Sequence, residues 1–160
     1  MTIAGLPLHP LVVHAAVVLI PLSAVLAIVF AVLPQWRWLS RWPTAALSVL
    51  VVGVGFLATS SGESLEETSP GVEQAVHEHA ERGDALSWLL VGFAVLVVLG
   101  AWALSGSTAL VSGKGAWESR IPALEKLMPA VLVLGAVAVL VMVVLVGDSG
   151  ARAVWAGATG

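Results

Sequence analysis

The chain contains no cysteine, which excludes disulfides, thiolate-held iron–sulfur clusters and haem attached through thioether bonds. Charge is scarce as well: Asp, Glu, Lys and Arg make up 11% of 160 residues, where an ordinary soluble domain has roughly a quarter. The net charge is −3, with no basic stripe, and this argues against nucleic acid as a partner. Neither HExxH nor HxxxH spacing occurs, and no nucleophile elbow with a base and an orienting group can be recognised, so the chain reads as a non-enzyme. Neither an internal repeat nor a low-complexity tract is evident.

In place of charge the chain carries 59% apolar residues. Four runs, 9–33, 43–61, 85–105 and 128–147, hold no Lys, Arg, Asp or Glu, and each is long enough for a hydrocarbon layer that takes about 20 residues to cross. In lipid the backbone must satisfy its own hydrogen bonds, and without period-two alternation that means helices rather than a barrel. The expected fold is all-α: an integral membrane, antiparallel four-helix bundle forming one domain over residues 1–160. Residues 1–8 hold no basic side chain, and the first run exceeds the roughly 7 to 15 residues of a signal core, so it reads as a retained span.

Short loops rich in Lys and Arg stay in the cytoplasm. Arg37 and Arg41 follow the first run, and Lys114, Arg120 and Lys126 follow the third, which gathers five of seven basic residues on one side. The expected location is a bacterial inner membrane with both termini extracytoplasmic. Trp36, Trp38, Trp42, Trp102 and Trp117 fall at the inner interface, and Trp88 and Trp155 at the outer, as membrane anchors. The spacing of Trp117, Ile121, Leu124 and Met128 predicts an amphipathic helix on the membrane surface ahead of the fourth span.

This topology places all four histidines on the outer side. His9 and His14 open the first span, in the stretch HPLVVH, and His77 and His79 precede the third. Five residues apart, His9 and His14 are rotated by about 140° on a helix and cannot easily share one ion. His14, deeper in an apolar span, is expected to face the interior with a partner, and His9 to be secondary. Of His77 and His79 at most one looks inward. Asp84 reads as a cap at a helix N-terminus. Glu63 and Asp148 read as acids at helix C-termini, where the helix dipole calls for a cation; Arg152, four residues on, suits Asp148. Glycines and alanines around these positions either pack helices closely or leave room for a flat cofactor.

Three stretches, LPLHPLVVHAAVVLIPL (6–22), SGESLEE with HAERGD (61–67 and 79–84) and GDSGARAVW (147–155), together resemble the bacterial membrane proteins of domain-of-unknown-function family 2231, in its actinobacterial branch. The resemblance implies four inner-membrane spans, singles out His9, His14 and His79 but not His77, and brings an association with redox modules such as cytochrome c domains. It carries no activity. Where the family's last motif often reads GHSGA, Asp148 stands here in the histidine's place.

Three readings follow. A histidine-ligated redox cofactor, haem b, is held near the outer leaflet by His14, His79 or His9. Alternatively, His9, His14 and His79 with Glu63 or Asp148 bind zinc or copper in a binding or transport accessory role. In the third, the chain is a cofactor-free subunit of a membrane or redox partner and its histidines are structural contacts.

Overall fold

The structure is a computed structural model; it describes residues 2–3, 6–66, 73–108 and 110–158, with side chains over 9–62, 76–108 and 110–155. After a two-residue antiparallel pairing of Thr2–Ile3 with Leu6–Pro7, four helices follow: α1 (Leu8–Val32), α2 (Arg37–Glu66), α3 (Glu73–Ala103) and α4 (Leu124–Ala158). They form a ring in which α1 and α3 each pack against both α2 and α4. Each contains a stretch long and apolar enough to cross a membrane: His9–Val32, Pro34–Gly62, Val76–Ala103 and Leu124–Trp155. The antiparallel four-helix bundle is as the sequence predicts. One end carries the start of α1 and the end of α4, and is called here the terminal end; the other, with the connections 33–36 and 104–123, is the loop end.

Alanine and serine line much of the inward faces, between large buried side chains such as Ile20, Phe30, Leu90 and Phe93. On α1, Ser23, Ala24, Ala27 and Ala31 are buried while Val17, Val18 and Val25 are exposed. In lipid, burying a valine gains little, because the surrounding tails are as apolar as the interior; close backbone approach and van der Waals contact hold the helices instead. The inward glycines serve this approach. A Cβ added at Gly55 would lie 3.0 Å from Leu90, and one at Gly100 3.0 Å from Leu132, whereas Gly53 and Gly92 face outward with nothing within 4 Å. Side chains of neighbouring helices therefore fill the space that a flat cofactor would need along the middle of the bundle.

Three helices run well past the apolar runs, which corrects the reading of the acids. Asp84 lies deep inside α3 and is no N-cap, and Asp148 lies inside α4, away from its end. The extensions are held by pairs at i,i+4 spacing: Glu78 with Arg82, His77 with Glu81 at 3.4 Å, and Asp148 with Arg152 at 2.6 Å, the last as its spacing suggests. Glu63 lies near the end of α2, and its side chain is outside the described ones.

The amphipathic helix expected around Trp117 does not form. The described residues of 104–123 fold back over the end of α3 as irregular chain and supply what its last carbonyls lack. The Trp117 indole donates to Leu104 O at 2.7 Å, and Ser119 Oγ and the Arg120 amide donate to Ala103 O. Trp117 also pairs through its backbone with Gly106, so closely that a Cβ at Gly106 would sit 2.2 Å from the indole ring.

No repeat is evident in the sequence, but the burial pattern of the two hairpins corresponds. Ile20, Ser23, Ala24, Ala27, Phe30 and Ala31 are buried on α1, and the residues 70 positions later, Leu90, Phe93, Ala94, Val97, Gly100 and Ala101, are buried on α3. At an offset of 88, buried Ser40, Thr44, Ser48, Val51 and Ser61 of α2 match buried Met128, Leu132, Ala136, Val139 and Ser149 of α4. With α1 and α3 diagonal in the ring, this equivalence corresponds to a twofold axis along the bundle.

Candidate functional site

At the terminal end His9, the second residue of α1, turns onto the last turns of α2. Its Nδ1 lies 3.0 Å from Ala58 O and 3.1 Å from Ser61 Oγ, and the serine hydroxyl donates to the same carbonyl. Because a carbonyl only accepts, Nδ1 is the donor in this contact, and Nε2 is the ring nitrogen left outside it. Ala58 O thus accepts from both the imidazole and the serine hydroxyl. The ring reaches it because position 62 is glycine, where a Cβ would lie 3.1 Å from His9 Cε1.

His79 repeats this arrangement on the other hairpin. Its Nδ1 lies 3.1 Å from Val146 O and 3.2 Å from Ser149 Oγ, Ser149 donates to Val146 O, and Gly150 leaves the space, a Cβ there lying 2.9 Å from His79 Cε1. Carbonyl, serine and glycine occur at i, i+3 and i+4 in both cases, at the same offsets as the burial pattern. The two histidines, one from each of the diagonal helices α1 and α3, are close enough for their charges to act on one another.

The other expected site residues do not join them. His14 is exposed on the outside of α1, its Nδ1 2.6 Å from Pro10 O of its own helix. This corrects the expectation that His14 faces inward; of the two, it is His9 that reaches a neighbouring helix. The reason is phase. His9 lies eleven residues before buried Ile20, three turns and about 20°, whereas His14 lies about 120° off that line. His77 is exposed beside Glu81, so His79 is the inward member of its pair. Asp148 is exposed and engaged with Arg152, and among the described residues no three His, Cys, Asp or Glu come together as a metal-binding group.

At the loop end the structure shows a centre that sequence reasoning missed. Arg37, treated only as a topology signal, has 2% of its side chain exposed. Its Nε donates to Phe30 O at 2.9 Å, and its terminal nitrogens donate to Ala31 O at 3.1 Å and Ser105 O at 2.8 Å. Glu125 lies 3.4 Å away and accepts from the Ser105 amide. Arg37 and Glu125 are the equivalent positions of α2 and α4, so the repeat carries opposite charges here and histidines at the other end.

No curated protein and no solved structure matches the chain. A family model described as a predicted membrane protein, DUF2231, matches residues 5–160, and with its four apolar helices the chain belongs to that family of predicted membrane proteins.

Proposed function

We propose that the terminal end is a two-imidazole centre for haem b, which His9 and His79 would hold, and that the protein is a redox component of the membrane. The observation that carries this reading is the orientation of the rings: both Nδ1 atoms face main-chain carbonyls, the arrangement in which an imidazole would present Nε2 to a metal. Metal-ligating histidines are held in this way. A porphyrin brings four nitrogens, so two imidazoles complete the coordination of its iron, and haem held by two histidines supplies one-electron transfer. Bare zinc asks for four ligands, commonly more of them from protein than two. The residues present therefore fit haem iron better than the mixed zinc or copper site.

The basic residues favour an orientation with the terminal end outside the cytoplasm of a bacterial inner membrane, since Arg37, Arg41, Lys114, Arg120 and Lys126 all belong to the loop end. An electron partner would then be a redox protein on the outer face.

Protein purified from cells supplied with a haem precursor should show a Soret band with low-spin visible bands. His9→Ala and His79→Ala should each abolish the low-spin spectrum, while His14→Ala keeps it. Bound metal without a Soret band would replace haem by a bare ion. Absence of both would leave the histidines as interhelical contacts of a cofactor-free subunit.

A further inference from the structure

Two arginines at the loop end lack a counter-charge. Of the five arginines in the chain, Arg37, Arg82 and Arg152 form ion pairs with carboxylates. Arg41 and Arg120 have none within 4.0 Å among the described residues, Glu118 of the groove beside Trp117 included. The two are close enough for the charge of one to act on the other. Arg41 lies between two indoles, 4.8 Å from the centroid of Trp42 and 4.5 Å from that of Trp117, and Arg120 lies 5.1 Å from that of Trp102. Arg41 Nε is enclosed and has no hydrogen-bond acceptor. Stacking on aromatic faces holds a guanidinium in place without using its donors, so two neighbouring cations are positioned while an N–H stays unpaired.

We infer that Arg41, Arg120 and the indoles of Trp42 and Trp117 form a binding site for the phosphate of an anionic phospholipid. A phosphodiester supplies both the negative charge and the acceptors that the site lacks. The lipid form is favoured by position. Arg41 belongs to the membrane-crossing stretch Pro34–Gly62, and Trp42 and Trp102 beside it are exposed on the flank of the bundle. Indoles of this kind sit at headgroup level, and basic pockets beside membrane helices take acidic headgroups. This site is independent of the histidine centre at the opposite end.

The test is native mass spectrometry of the whole protein with phosphatidylglycerol, cardiolipin and phosphatidylcholine of matched chains. The wild type should retain the two anionic lipids over phosphatidylcholine. Arg120→Gln, at an exposed position, should weaken that retention by about fivefold, and adding Arg41→Gln should remove the preference. Arg152→Gln, at the other end, should change nothing. If the double variant fails to fold, Arg120→Gln alone decides. Equal retention of all lipids, equal loss in Arg152→Gln, or full retention in Arg120→Gln overturns the inference. Displacement of phosphatidylglycerol by millimolar inorganic phosphate also overturns it, since the site would then be one for free phosphate.

Discussion

His9 and His14 share one helix and one residue type, and what separates them is rotation. Depth in the apolar run makes His14 the more costly place for an imidazole, but that argument assumes the side chain must find a partner on another helix. His14 instead uses Pro10 O one turn back, a local solution that depth does not foresee. The signal that would have separated them is the line of small residues at Ser23, Ala24, Ala27 and Ala31, which marks the interior face and continues back to His9. The serines and glycines that hold the rings were visible as Ser-Gly in two of the family-like stretches, yet Ser61 and Ser149 gain meaning only when a histidine 52 or 70 residues away is brought to them. His9→Ala should therefore lower the stability of the bundle by about 1 to 3 kcal/mol, through the lost bond and the void against Gly62. His14→Ala should change it by less than about 0.5 kcal/mol, as exposed substitutions do. Thermal unfolding in detergent followed by circular dichroism measures both, and equal shifts would contradict this difference between them.

The helices as elements were legible because nothing else satisfies a backbone in lipid. Their ends were not, because membrane spans and helices stop for different reasons. Loss of apolar character ends a span, while α3 and α4 continue through Glu, Arg, His and Asp on local ion pairs. The 104–123 connection misled in the opposite direction. Its apolar spacing is helical, but its polar backbone and the Trp117 indole are taken up by the exposed carbonyls of α3. Arg37 joins the most elements among these ties, since one guanidinium meets the end of α1, the second residue after α3 and the first turn of α4 from its place at the start of α2. Removing it leaves Glu125 and three carbonyls short of a donor, so Arg37→Met should destabilise the bundle by about 3 to 5 kcal/mol. Arg37→Lys should restore little, because an ammonium on a flexible stem lacks the planar fork that spans these acceptors. A lysine variant as stable as wild type in the same melt would mean that charge alone matters at this position.

At the scale of the whole molecule the repeat explains why chemistry collects at the two ends and not between them. Each hairpin brings one histidine to the axis at the terminal end and one charged residue to the loop end, and the middle is filled by small and apolar side chains. The repeat escaped the sequence because most matched positions keep burial but change residue type, as in Ser23 with Phe93, Phe30 with Gly100 and Arg37 with Glu125, while the identical pairs, such as His9 with His79 and Ser61 with Ser149, are few and scattered. The longer connection between α3 and α4 also gives the two halves different offsets. An axis along the bundle leaves both ends exposed to different compartments, so orientation decides which compartment the imidazole pair serves. The basic residues favour the cytoplasm for the loop end. The chain has no native cysteine, so single introduced thiols report cleanly. His77 is 70% exposed near the terminal end and Val111 fully exposed in the 104–123 connection. In intact cells a membrane-impermeant maleimide should label His77→Cys and spare Val111→Cys, which should react only after permeabilisation. The reverse pattern would turn the bundle over and place His9 and His79 on the cytoplasmic side, where the proposed redox partner would then have to be sought.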